Sequence, residues 1–400
     1  MSEASVGPLA GVKVLELGTL IAGPLCARML ADFGADVIKI ESPDAGDQLR
    51  GWRKMYEGTS LWWYVQARNK QSVTVNLRAA EGQAIVRELS KEADIVVENF
   101  RPGALEKWNI GWPQLSALNP RLVMVRLSGF GQDGPYRDRP GFGVVAESMG
   151  GMRYVTGYPD KPPVRIGISI GDSIAALHGV IGAMMALHHR NANGGTGQYV
   201  DVALYEAVFN LMESLVPEFD VLGFKRERAG NELPGITPSN TYATRDGKFV
   251  IIGANNDSIF KRLMAAMGRE DLANDPALAT NGGRVPRARE LDLAIESWTR
   301  EHDLEAVLEA LQRAEVPSGR VYDAEDIVND VHYAARRMIE QWPLPDGRPM
   351  KIPGIVPKLS ETPGETRWLG PKLGEHTSEV LSRLGYDTER QRALRERGVI

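Results

Sequence analysis

The sequence predicts an α/β protein: a doubly wound, mostly parallel sheet, followed by a smaller α+β domain. Three observations predict it. Short β-branched runs alternate with helical patterns through the first half of the chain, the signature of a parallel sheet covered by helices. The turns between them are glycine-bearing, as at Gly34-Ala35, where a helix hands over to a strand. A polar stretch with Pro and Gly, residues 225–238 (KRERAGNELPGITP), separates this half from a region with a hairpin pattern. These features divide the chain into a large domain (1–224), a small domain with its linkers (225–325) and a C-terminal segment (326–400).

Residues 12–17 (VKVLEL) read as a buried first strand. A turn through Gly18 and Gly23-Pro24 leads into a helix over 25–33, and residues 36–40 form the second strand. Residues 73–77, a helix over 80–92 and residues 94–98 repeat the alternation, and 122–127 gives another strand. After it comes a glycine-rich loop, Gly129-Phe130-Gly131-Gln132-Asp133-Gly134-Pro135. Right-handed crossovers place a site at the carboxyl ends of such strands. Residues 164–170 read as a strand, then Gly171-Asp172-Ser173 opens a long apolar helix with Asp172 at the N-cap. Residues 198–204 are a strand, and a helix follows to about Leu215. Beyond the linker, 241–254 alternates as a hairpin, helical patterns cover 258–267, 288–299 and 304–314, and the tail ends in a helix over 377–385.

Composition bounds the function. A length of 400 residues allows two domains with large cores, and 43% hydrophobic with 25% charged residues is ordinary for a globular protein. A net charge of −5 argues against general nucleic-acid binding. Cys26 is the only cysteine, so no intrachain disulfide or cysteine metal cluster can form. The opening MSEASVGPLAG has no signal-peptide pattern, and no apolar run reaches the ~18 residues of a membrane span. The expectation is a cytoplasmic protein with no membrane partner.

Several chemistries are missing. The six histidines form no H-E-x-x-H and no acidic cluster; His188 and His189 read as decoration of a helix end. No G-x-G-x-x-G, Walker A sequence or G-x-S-x-G elbow is present. Trp62-Trp63-Tyr64 reads as core, with an aromatic wall beside a ligand as the alternative. Arg68, Lys70, Arg101, Lys107 and Arg139 recur beside strand ends, a pattern that suits a phosphate-holding rim. With a carboxylate at a helix N-terminus, where the anion is favoured, this pattern suits nucleophilic catalysis on a phosphate-bearing thioester.

The ordered motifs PLAGVKVLEL (8–17), AGP (22–24), GADVIKIE (34–41), NK (69–70), VENFRPG (97–103), SGFGQDGP (128–135), GD (171–172) and LGEHT (373–377) span nearly the whole chain. In these the sequence resembles the family III CoA-transferases of the formyl-CoA/carnitine CoA-transferase (CaiB/BaiF) superfamily. The resemblance implies a Rossmann-like large domain, a small domain joined by two linkers with the segment 326–400 returning to the large domain, and an interlocked homodimer of ring-like chains. It implies that Asp172 attacks an acyl-CoA thioester, forming a mixed anhydride and then an aspartyl-CoA thioester. It also implies CoA contacts at Leu20, Ile21, Lys70, Asn99, Phe100, Lys107 and Arg139, with coenzyme A as substrate and no tightly bound cofactor or metal.

The departures narrow the expectation. Formyl-CoA transferases have a glutamine where Ile21 stands, a tyrosine near Trp62, and a four-glycine loop of which 230–235 is only a partial counterpart. Racemases of the superfamily use a His-Asp pair where this chain has Gly141-Phe142-Gly143. The segment 141–172 looks most like members that act on dicarboxylates, with succinyl-CoA as donor and a C4–C6 acid as acceptor. Arg50, Arg53 or Arg165 could then pair with a distal carboxylate. An α-methylacyl-CoA racemase or isomerase and a non-catalytic CoA-binding protein are the alternative readings.

Overall fold

A computed structural model describes residues 7–400. The first six residues, part of the opening read as lacking a signal peptide, lie outside the described residues. The chain falls into two compact units. One comprises the residues up to Met152 together with Ile166–Val216 and Ala335–Ile400; the other comprises Arg153–Arg165 and Pro217–Ala334. The division differs from the expected one at both ends of the small domain, which starts earlier, at Pro217, and takes in a short stretch that precedes Asp172. The crossings carry punctuation of their own, Pro159 and Pro162-Pro163 in the first and Pro217 in the second.

The first unit is built on six parallel strands: β1 (Lys13–Glu16), β2 (Asp36–Glu41), β3 (Lys70–Thr74), β4 (Ile95–Glu98), β5 (Val123–Ser128) and β6 (Tyr199–Ala203). They run in the order β3-β2-β1-β4-β5-β6, every pairing parallel. This is the doubly wound order, and it reverses between β1 and β4, where an open α/β sheet binds its ligand. The central strands β4 and β5 are buried along their whole length, as parallel strands covered on both faces must be, whereas the edge strand β6 is open at Tyr199 and Asp201.

One face packs on helices α1 (Ala22–Asp32) and, after α2 (Ala80–Glu92) and α3 (Gly143–Met149), on α4 (Ile170–Ala192). Val14, Val37, Val97 and Val125 supply its core. The opposite face carries Leu15, Ile40, Val73 and Val96, covered by α2 and by the C-terminal helices Thr377–Arg383 and Thr388–Glu396. Helix α2 matches its sequence reading at both ends. Residues Ala335–Ile400 belong to this unit, and their two helices cover the second face.

Several local readings change: the third strand is Lys70–Thr74 rather than 73–77, the helix after β6 stops at Phe209 rather than near Leu215, and Thr377–Arg383 is followed by a further helix, Thr388–Glu396. Residues 164–169 form no strand, and α4 begins at Ile170 with Ser169 as N-cap, so Asp172 is its third residue rather than its cap. The β-branched run misleads because it faces no neighbouring strand with which to pair. Length and composition alone would let α4 cross a membrane. Here its glycine and alanine side is buried in the core: a methyl group on Gly179 would lie 3.2 Å from Cys26 Sγ of α1 and 3.2 Å from Val125 of β5. The second unit holds an antiparallel sheet of three strands, Ser239–Ala243, Phe249–Gly253 and Ser318–Arg320. Its helices Asp257–Ala266, Ala288–Arg300 and Leu304–Arg313 pack on one side, as the α+β reading expects.

Candidate active site

The site assembles at the carboxyl edge of the parallel sheet, where β1 and β4 diverge. The loop after β1, from Leu17 to α1, is held from below and from the side. Asn99, just past β4, accepts from Thr19 N at 2.8 Å and donates through Nδ2 to Thr19 O at 2.8 Å. Gly18 and Gly23 make room for it: a methyl on Gly18 would come within 2.8 Å of Asn99 Oδ1. Leu20 is left-handed, with φ +64°, and its N–H donates to Asp47 Oδ1 at 3.0 Å.

Beneath the loop lies a buried charge network. Lys39 pairs with Glu16 and with Asp47, both at 2.7 Å, and donates to Gly18 O at 2.9 Å. Lys70 pairs with Glu16 at 2.7 Å and donates to Pro24 O at 2.6 Å. Arg50 grips Glu41 with two bonds of 2.8 Å. Burial pulls the Lys39 ammonium down, but Asp47, Glu16 and Glu41 together hold it above the ordinary lysine range. Lys70 has less opposing charge, and its burial wins, lowering it to about 8. Glu98, under the same edge, is pushed up to about 7 by burial despite its 2.8 Å pair with Arg126.

The nucleophile candidate arrives by a second route. Two glycine contacts lead from β5 to Asp172. Gly129 and Gly141 touch so closely that a methyl on either would lie about 3 Å from the other's Cα. This brings the glycine-rich loop back and starts α3 beside the first turn of α4. There a methyl on Gly143 would lie 2.2 Å from Asp172 Oδ2, and one on Gly171 would lie 2.8 Å from Gly143 O. The half-buried Asp172 carboxylate therefore rests on the bare Cα of Gly143. Because α4 runs back against the parallel strands towards β6, its first turn lies at the same edge of the sheet as the Gly18–Ile21 loop.

The structure brings Leu20, Asn99 and Phe100 together at this edge. Ile21 is buried at the start of α1, its carbonyl accepting from Gln66 Nε2 at 3.2 Å. Lys70 is not on the rim: it is 1% exposed, and its ammonium faces Glu16 and Pro24. Lys107 is exposed at the end of a one-turn helix, Ala104–Lys107. Arg139 is exposed just after the glycine-rich loop and stacks on Tyr136 at 3.6 Å. Among the carboxylate-binding candidates, Arg50 is engaged by Glu41 and stacks on buried Trp63 at 3.7 Å. Arg53 lies over Trp62, and exposed Arg165 belongs to the second unit. Trp63 and Tyr64 are core.

A cavity of about 320 Å³ opens beside the loop, lined by Thr19, Lys39, Asn76, Arg78, Phe100 and Trp108. Asn76, Arg78 and Trp108 were not singled out from sequence. Arg78 had a signal: it is the first basic residue after the third strand of the sheet, the rim position that Arg101 holds after the fourth. Among the described residues, no group of three or more His, Cys, Asp or Glu side chains could hold a metal ion.

Residues 9–377 match the model of CoA-transferase family III. The chain is 50% identical to the succinyl-CoA–D-citramalate CoA-transferase of Chloroflexus aurantiacus, over 96% of this chain and 95% of that one. It is 43% identical to the succinyl-CoA–L-malate CoA-transferase beta subunit of the same organism, over 98% of each chain. A crystal structure of a CaiB/BaiF family protein from Brucella suis superposes with a TM-score of 0.83 at 34% identity, covering 94% of this chain and 99% of that one. The chain belongs to CoA-transferase family III, and a CoA thioester is its substrate.

Proposed function

We propose that this enzyme moves CoA from succinyl-CoA to a C4–C6 dicarboxylic acid, with Asp172 as the covalent nucleophile. The carrying observation is the seat of Asp172: a carboxylate lying on a residue with no side chain, at the edge of the sheet where the ligand loop stands. The relatives' named substrates support the choice of donor and acceptor class. Asp172 Oδ attacks the thioester carbonyl, and collapse of the tetrahedral adduct expels the CoA thiolate and leaves a succinyl–aspartyl anhydride. The thiolate then attacks the aspartyl carbonyl, releasing succinate and forming an aspartyl-CoA thioester. The acceptor carboxylate opens this thioester to a second anhydride, and the returning thiolate takes the acceptor's acyl group, freeing Asp172. Each step exchanges one activated acyl bond for another, so no ATP is consumed.

The cavity walled by Phe100 and Trp108, with the Arg78 cation in its lining, suits the adenine and phosphate end of CoA. Lys107 and Arg139 add exposed cations along the same rim. The working form is a homodimer in the cytoplasm, whose supporting surface is the apolar outer stripe of α4.

Incubation with succinyl-CoA and hydroxylamine, followed by peptide mass spectrometry, should place a hydroxamate on Asp172 and on no other carboxylate. Asp172→Asn should lower kcat by about 10³-fold or more, as loss of a covalent nucleophile does. Turnover with Asp172 unmodified would sink the mechanism, and α-proton exchange without acyl transfer would favour the racemase reading.

A further inference from the structure

The Gly18–Ile21 loop contains a contradiction in local energetics. Leucine in the left-handed region costs about 1–2 kcal/mol, because its Cβ crowds the following carbonyl. Leu20 nevertheless sits at φ +64°. Buried ion pairs are costly too, and replacing them with apolar residues is often neutral or stabilising. Yet Lys39, Glu16, Asp47 and Lys70 are all 2% exposed or less. The two costs meet at Asp47. Its Oδ1 and Oδ2 lie 3.0 and 3.2 Å from Leu20 N, Oδ1 also caps Leu49 N at 2.9 Å, and Oδ2 pairs with Lys39 at 2.7 Å. Asp47 N in turn donates to Glu41 Oε2 at 2.9 Å, and Glu41 is fixed by Arg50 and by Ser72 Oγ at 2.6 Å.

We propose that Asp47 is a positioning residue for CoA binding: it locks Leu20 in the left-handed conformation, with Lys39 and Glu16 holding the carboxylate in place, so that the loop is shaped before CoA arrives. This inference rests on the proposed placement of CoA at the loop and goes further, by naming what shapes the loop. Preformed loops bind more tightly because the ordering cost is already met. The network also explains the inward turn of Lys70, which ties Pro24 at the far end of the loop to Glu16 as Lys39 ties Gly18 at the near end.

The test is a double-mutant cycle read by calorimetric titration of the full-length protein with free CoA, which needs no turnover. Asp47→Ala should weaken CoA about tenfold in the wild-type background and in Leu20→Ala, where the left-handed cost persists. In Leu20→Gly, where glycine accepts the same φ freely, the loss should shrink to about twofold or less. If Asp47→Ala does not fold, Asp47→Asn keeps an acceptor for Leu20 N while giving up the ion pair with Lys39. It should then lower Tm yet cost CoA affinity less than about threefold. Equal losses from Asp47→Ala in all three backgrounds, or a tenfold loss in Asp47→Asn, would overturn the proposal alone. CoA affinity unmoved by every variant, those at Leu20 included, would overturn it together with the placement of CoA at this loop.

Discussion

Gly143 has no side chain because Asp172 occupies the space one would fill. Its Gly→Ala change should therefore affect chemistry more than folding. Alanine is the better helix former by about 1 kcal/mol, which offsets part of the local crowding. The methyl must still displace a carboxylate that would lie 2.2 Å away. Displacements of ~1 Å at a reacting group cost about 10²-fold in rate. Gly143→Ala is expected to lower kcat by about that factor with KM for succinyl-CoA and Tm nearly unchanged, measured by steady-state kinetics beside calorimetry. At Glu98 the consequence lies in pH. Burial raises its folded-state pKa from 4.5 to about 7, so the folded protein holds a proton that the unfolded chain has already released. Stability must then fall as pH rises from about 4.5 to 7, by at most on the order of 3 kcal/mol. Urea unfolding at pH 5 and pH 8 should show this fall in the wild type and a flatter profile in Glu98→Gln.

Among the elements, α4 carries the most constraints. Its first turn presents Asp172, its buried side packs on α1, β5 and β6, and its outer side is apolar and open. The inner glycines serve close packing: a methyl on Gly182 would come within 2.4 Å of Val200 Cγ1 on β6. Valine has few rotamers with which to escape, so overpacking of about 1–3 kcal/mol should exceed the ~1 kcal/mol that alanine gains in helix propensity. Gly182→Ala should thus lower the urea midpoint, whereas the same change at a solvent-facing glycine of a helix would raise it. Nothing in the periodicity of α4 distinguishes Gly182 from a surface glycine. The distinction comes from β6, the strand that follows it.

For the whole molecule, the open stripe of α4 sets the expectation. Leu177, Ile181 and Met185 recur every four residues on the outer face, and Met185 is 67% exposed. Such a row on a helix whose opposite side is core suits a partner surface, and a second copy of the chain is the proposed partner. Ile181→Asp combined with Met185→Asp should convert a dimer to a monomer in multi-angle light scattering. A wild-type mass equal to one chain would remove the dimer from the proposed function.

Much was already written in the order of residues. Alternating apolar runs and short glycine turns required a parallel sheet, because such strands can pair only through crossovers, and α2 could be bounded to the residue. The ordered motifs carried the family and singled out Asp172, since a chain of motifs survives any error in an individual element. Tertiary structure alone decided the rest. It placed the start of α4 at Ile170, because residues 164–169 have no strand to pair with. It turned Lys70 inward, because β3 begins at that residue and points its side chain at Glu16 rather than at the rim. It also joined Asp47 to Leu20, 27 positions apart, through the Leu20 N–H that both carboxylate oxygens accept. Local patterns record what a residue prefers, whereas a left-handed leucine and a bare glycine record what the neighbouring chain demands of it.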